Sequence, residues 1–248
     1  VQDRQRLVND YKIKTIIDLR TKTEHIEEAK KRDAKVQSSE AIPQSNDQVA
    51  EPLKIPGIAY REINFNGSAF SKMLISKLSW REFFRLVGLM AAGYRLDAIK
   101  VLSPHMEEMG LVGLATNSLD VCTREVKQFF EVLVDEANWP LLVHCTQGKD
   151  RTGLTVMLVL LLLGVDFEAV GEDYILSESE LQAEMQARIE EISTIGLSER
   201  FARIDPNMLQ AVHHHLEKYG DIEEYLISVG VNKQMQDRVK QILLEDDK

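Results

Sequence analysis

Cys145 and Arg151 stand six positions apart in the run His144-Cys145-Thr146-Gln147-Gly148-Lys149-Asp150-Arg151-Thr152-Gly153. A thiol and a guanidinium joined by a short polar loop are the parts of a phosphate trap. The apolar run Pro140 to Val143 before the loop reads as a strand, and Leu154 to Leu163 after it reads as a helix. Backbone N–H groups in such a loop turn inward and the helix N-terminus adds partial positive charge, so a concave site for a dianion results. The same field favours the reactive thiolate, which makes Cys145 the candidate nucleophile. Arg151, always charged and forked, is suited to hold two phosphoryl oxygens during in-line attack. The backbone from Thr146 through Gln147, Gly148 and Lys149 to Arg151 would hold the oxygens as well. The Thr152 hydroxyl is placed to stabilise the cysteine sulfur as leaving group or to help start the helix. His144 reads as a ring that fixes the loop backbone, not as an acid or base.

The loop resembles the Cys-x5-Arg signature of the protein tyrosine phosphatase superfamily. Its wording, His-Cys-x-x-Gly-Lys-Asp-Arg-Thr-Gly, is similar to an atypical bacterial and fungal branch that acts on tyrosine and lipid phosphates. The resemblance extends to Lys14-Thr15-Ile16-Ile17-Asp18-Leu19-Arg20 with Glu24, to Asp173-Tyr174-Ile175-Leu176-Ser177, and to the region from Asp205 to Leu244 with Tyr219-Gly220 and Tyr225-Leu226. It implies a cysteinyl-phosphate mechanism without metal or other cofactor. It also implies that the general acid lies within the loop, where Asp150 matches. Asp150 also suits a plain helix N-terminal carboxylate, and Asp120 is the competing acid. Lys149 either points inward, favouring inositol phosphates, or lies in solvent. Asp18, Arg20 and Glu24 line the site or brace it through ion pairs, bracing being preferred.

The elements that must position these residues follow from pattern. Thr15 to Leu19 reads as a buried strand and Ile58 to Phe65 as a second. Lys30 to Pro56, polar with three prolines, reads as a loop or an ordered excursion. Phe70 to Leu102 has apolar residues at helical spacing. A helix is expected from Asn117, capped by Asn117 or Ser118, with Leu119, Cys122, Val126, Phe129 and Leu133 as one stripe. Strand, helix, strand, loop, helix implies an α/β fold, with a mostly parallel central sheet flanked by helices. Ligands of such sheets sit at the carboxyl ends of the strands, where Cys145 falls. The expected organisation is one phosphatase domain over residues 1–248, with a helical insertion or lid at 70–112 and a helical C-terminal part at 205–248.

The 248 residues suffice for a substantial core. A net charge of −10 argues against nucleic acid as partner but not against a local phosphate site. The two cysteines form no disulfide framework, and a thiol nucleophile must stay reduced, so a cytoplasmic setting is expected. The longest apolar run, Leu154 to Val165, is short of the roughly 20 residues a bilayer needs, so no integral membrane segment is expected. Val1 opens neither a signal peptide nor a targeting helix, and the chain is expected to begin inside a longer protein. Cys122, on the apolar stripe, reads as packing. Consecutive rings on a helix point about 100° apart, so His213, His214 and His215 read as a solvated face rather than a metal site. Glu178 to Ile195 reads as helical, and Glu178 to Glu191 within it as an exposed, charged face.

Overall fold

The computed structural model describes residues 2–33 and 54–244. Its elements in chain order are α1 (Gln2–Asn9), β1 (Thr15–Asp18), α2 (Lys22–Asp33), β2 (Ala59–Glu62), α3 (Ser68–Ser76), α4 (Trp80–Ala91), α5 (Arg95–Val121), α6 (Thr123–Leu133), β3 (Leu141–His144), α7 (Asp150–Leu162), α8 (Phe167–Glu180), α9 (Met185–Thr194), α10 (Met208–Leu216), α11 (Ile222–Ser228) and α12 (Lys233–Leu244). Among the described residues the sheet has three strands in the order β2-β1-β3, all parallel. This is the α/β arrangement expected, a small parallel sheet among helices.

Two compact units emerge. The first comprises Val1–Gly67, Arg124–Val156 and Leu226–Lys248; the second comprises Ser68–Thr123 and Met157–Tyr225. In the first unit β1 is central and fully buried, which suits its Thr-Ile-Ile sequence of stiff β-branched side chains. The register pairs Asp18 with Glu62 on one side and with His144 on the other. Two chemically useful side chains therefore leave adjacent strands at the same level. Leu19 N donates to His144 O at 2.9 Å, so the ladder continues to the threshold of Cys145. Helix α6 contributes Val126, Phe129, Phe130 and Leu133, all buried, at three- and four-residue spacing. The approach to β3 is pinned by Trp139, whose Nε1 donates to Leu133 O at 2.9 Å, and by buried Asn138, whose Nδ2 donates to Val132 O at 2.8 Å.

The second unit is helical. Leu86, Ala98 and Val101 form one cluster, and Ile192, Leu197, Phe201 and Ala202 another. Helix α5 bends at Gly110, whose φ of 63° a larger residue would resist.

Several expectations are corrected. Asn117 and Ser118 do not cap a helix but lie inside α5, where their side chains donate back to Gly113 O and Leu114 O, each at 2.7 Å. Such back-bonding satisfies a short polar side chain without ending the helix. The stripe divides accordingly, Leu119 and Cys122 in the second unit and Val126, Phe129 and Leu133 in the first. The second strand is only Ala59–Glu62, and α1 precedes the first strand. The reading of residues 30–56 falls largely on 34–53, outside the described residues, while 30–33 end α2. Glu178 to Ile195 is not one helix: α8 ends at Glu180, a 3₁₀ turn intervenes, and α9 buries Ile192 against Phe201. His215 is buried rather than solvated, because its Nε2 meets Asp120 Oδ1 at 2.7 Å.

Candidate active site

Strand β3 ends at His144, and after five intervening residues α7 begins at Asp150. The intervening turn needs Gly148, whose φ is 77°. Among the described residues the amides of Thr146, Gln147 and Gly148 donate to no protein acceptor, and neither do those of Asp150, Arg151 and Thr152 in the first turn of α7. A loop of unpaired donors beside a helix N-terminus is a site for an anion. Cys145, 6% exposed, opens this loop.

Arg151 is held from a distant part of the chain. Its Nη1 donates to Glu24 Oε2 at 2.7 Å and to Leu19 O at 3.1 Å, and its Nη2 donates to Glu24 Oε1 at 2.5 Å. Only a 3.4 Å contact to Thr146 Oγ1 remains on the other side of Nη2, and Nε has no partner among the described residues. The guanidinium is thus fixed by two edges and keeps its Nε edge for an incoming oxygen. Glu24 is itself placed by a capping box at the start of α2: its amide donates to Thr21 Oγ1 at 3.3 Å, and its Oε2 accepts from Thr21 N at 2.9 Å. The Thr146 hydroxyl also donates to Glu24.

Burial opposes the charge on both partners, but the paired hydrogen bonds win. Arg151 is raised above its ordinary value, and Glu24 is lowered from 4.5 to about 2. A depressed carboxylate contributes stability above its unfolded pKa and loses it as pH falls through the folded value. The window here runs from about pH 4.5 down to about 2. With Glu24 31% exposed, the contribution is of order 2 kcal/mol. Urea unfolding should therefore show stability falling steeply below pH 4.5, and Glu24→Gln should flatten that slope.

Behind the loop, Asp18 is 2% exposed and accepts from Arg20 N and Nε at 3.0 Å through Oδ1 and from Nη2 at 2.7 Å through Oδ2. Burial pushes its pKa up, but Arg20 and the neighbouring His144 ring outweigh that and hold it low. Arg20 also pairs with Glu28. His144 Nε2 lies 3.7 Å from Asp18 Oδ2, and its Nδ1 is 2.9 Å from Cys145 O, so the ring links the bracing carboxylate to the loop backbone. The sequence did not single out His25. It is buried with Nε2 3.5 Å from Asp18, and burial pushes its pKa down. Its place beside Glu24 in the capping segment was the only signal.

Lys149 is fully buried, and its Nζ bonds both Asp150 oxygens at 2.8 and 3.0 Å. The carboxylate is therefore fixed at the C-terminal side of the loop. Among the described residues, Thr152 Oγ1 is buried with no hydrogen-bond partner, as is Gln147 Oε1. Asp120 belongs to the other unit, where its Oδ1 accepts from Tyr219 Oη at 2.9 Å besides meeting His215. Cys145 and Cys122 are both buried thiols, one in each unit. Among the described residues no helix is long and apolar enough to cross a membrane.

Comparison with known proteins agrees with this geometry. The family model described as "Tyrosine phosphatase family" matches residues 1–245. The triple specificity protein phosphatase PtpB of Mycobacterium tuberculosis (strain ATCC 25618 / H37Rv) is 30% identical over 129 residues, covering 44% of this chain and 45% of that protein. A tyrosine-protein phosphatase of Nostoc commune is 30% identical over 122 residues, covering 44% and 41%. The inositol diphosphatase DSP2 of Arabidopsis thaliana is 45% identical over 38 residues, 15% of each chain. The aligned part thus spans less than half the length of these curated relatives. With a family match over nearly its whole length and the loop built as described, the chain belongs to the tyrosine phosphatase family.

Proposed function

We propose that the protein hydrolyses phosphate monoesters through a cysteinyl-phosphate intermediate, with phosphotyrosine protein as its substrate class. The observation that carries this reading is the juxtaposition of buried Cys145, a loop of unpaired amides, and Arg151 locked by Glu24 with its Nε edge open. The Cys145 thiolate attacks phosphorus, forming the S–P bond as the ester P–O bond breaks. Arg151 and the amides hold the equatorial oxygens, and Asp150 gives its proton to the leaving oxygen. Water then attacks phosphorus, its proton passes to Asp150, and the S–P bond breaks with Thr152 Oγ1 turning toward the departing sulfur.

A phosphoinositide or inositol phosphate is the second reading. It is favoured by what two relatives do by name, one a triple specificity phosphatase and the other an inositol diphosphatase. A cytoplasmic setting belongs to the same proposal, since the thiol must stay reduced.

The test is phosphate release, in chelator, from a phosphotyrosine peptide and from a panel of phosphoinositides and inositol phosphates. Release from the peptide supports the first reading, preference for inositides the second. Silence on every substrate, with phosphopeptide still bound, would make the chain a binding module. For the acid, Asp150→Asn should lower kcat by about 10²-fold or more on a phosphotyrosine peptide and remove the high-pH limb of its profile. An unchanged profile would move the role to Asp120.

A further inference from the structure

Helix α4 is apolar on two faces. Toward the protein it buries Leu86 and packs Leu89 in the cluster with Ala98 and Val101. Toward solvent it presents Trp80 (78% exposed), Phe84 (66%), Val87 (46%) and Met90 (49%), and Tyr94 (61%) follows just beyond its end. At 3.6 residues per turn, positions 80, 84 and 87 fall within an arc of roughly 60°, and 90 widens it to roughly 120°. The stripe is ordered, not incidental: Trp80 stacks on Phe84 at a centroid distance of 6.2 Å, and Phe83 meets Phe84 edge-on at 5.8 Å. The helix start is fixed by a capping box between Ser79 and Glu82. A contiguous row of exposed aromatics on a well-formed helix marks an interaction surface.

Charge says what it meets. The chain as a whole is acidic, yet residues 70–100 hold Lys72, Lys77, Arg81, Arg85, Arg95 and Lys100 against only Glu82 and Asp97. Lys72, Lys77, Arg81 and Arg85 are exposed, and Arg81 and Arg85 run along one flank of the stripe. Of the two acids, Glu82 is engaged in the cap and Asp97 is paired with Lys100 at 3.0 Å. An aromatic stripe bordered by cations, with Trp and Tyr at its two ends, has the makeup of a helix lying in the headgroup region of an anionic bilayer. Long cationic side chains at the border extend to lipid phosphates while their stems lie along the apolar strip.

We propose that the solvent face of α4 docks the protein onto anionic membrane surfaces, with Trp80, Phe84, Val87 and Met90 entering the interface and Lys77, Arg81 and Arg85 meeting the headgroups. This does not depend on which phosphate ester the active site hydrolyses.

The test is flotation of the full chain with vesicles of phosphatidylcholine alone or mixed with phosphatidylserine. Binding to the mixed vesicles should be about tenfold or more above the neutral ones and should weaken as salt rises. Trp80→Glu/Phe84→Glu should remove it, and Arg81→Glu/Arg85→Glu should remove the preference for phosphatidylserine. All four side chains are solvent-exposed, so melting temperature and circular dichroism should match the parent and certify folding. Equal binding to both vesicle types, or no effect of either double variant, overturns the proposal. So does absence of vesicle binding with concentration-dependent self-association lost in Trp80→Glu/Phe84→Glu, which would assign the face to a second copy of the chain.

Discussion

Cys145→Ser is expected to abolish phosphate release, by about 10⁴-fold or more, while leaving phosphate bound with near-parent affinity. The serine hydroxyl is nearly isosteric and fills the buried position, but it does not ionise near neutral pH, so the nucleophile is lost and the pocket kept. The amides of Thr146, Gln147 and Gly148 and the Arg151 edge are untouched by the change. Steady-state phosphate release together with calorimetric titration of inorganic phosphate separates the two effects. Retention of a percent or more of parent turnover would mean that phosphorus is attacked by something other than this thiol.

Arg151→Lys should cost about 10³-fold or more in kcat/KM. The fork does three things at once in this structure: two bonds to Glu24, one to Leu19 O, and an Nε that has no partner among the described residues. A lysine ammonium is a point charge that cannot reproduce the planar geometry, although it keeps the net charge. Arginines that hold transferring phosphoryl oxygens are worth factors of this size. The same substitution also weakens the partner that holds the Glu24 pKa down, so the stability slope between about pH 4.5 and about 2 should become shallower. Kinetics at neutral pH and urea melts across the acid range read the two consequences independently. A loss in kcat/KM smaller than tenfold would show that the guanidinium geometry does not matter to the reaction.

The scaffold of the loop was legible because it is local. A strand, a glycine turn and a helix within about twenty residues carry their own patterns, and β3, Gly148 and α7 stand at the expected places. The bracing was legible only in type. The Thr21-x-x-Glu24 spacing marks a capping box, but nothing local tells that Glu24 reaches a guanidinium 127 positions away. Where local chemistry has two outcomes, tertiary context chose. Asn117 and Ser118 are good caps and also tolerable helix residues when they bond back to the preceding turn, and α5 runs straight through them. His215 looked like part of a solvated triplet, but the partner that buries it, Asp120, lies 95 positions earlier. Lys149 had two open readings, and only the packing around Asp150 decides that it is buried.

The central claim is the covalent intermediate, and it is tested by mixing enzyme with a phosphotyrosine peptide, quenching with acid within the first turnover, and mapping phosphate on the digested chain by mass spectrometry. The account predicts phosphate on the peptide containing Cys145, appearing before free phosphate and absent from Cys145→Ser. Rapid release of phosphate with no phosphorylated enzyme at any time, or with the label on another residue, would contradict it.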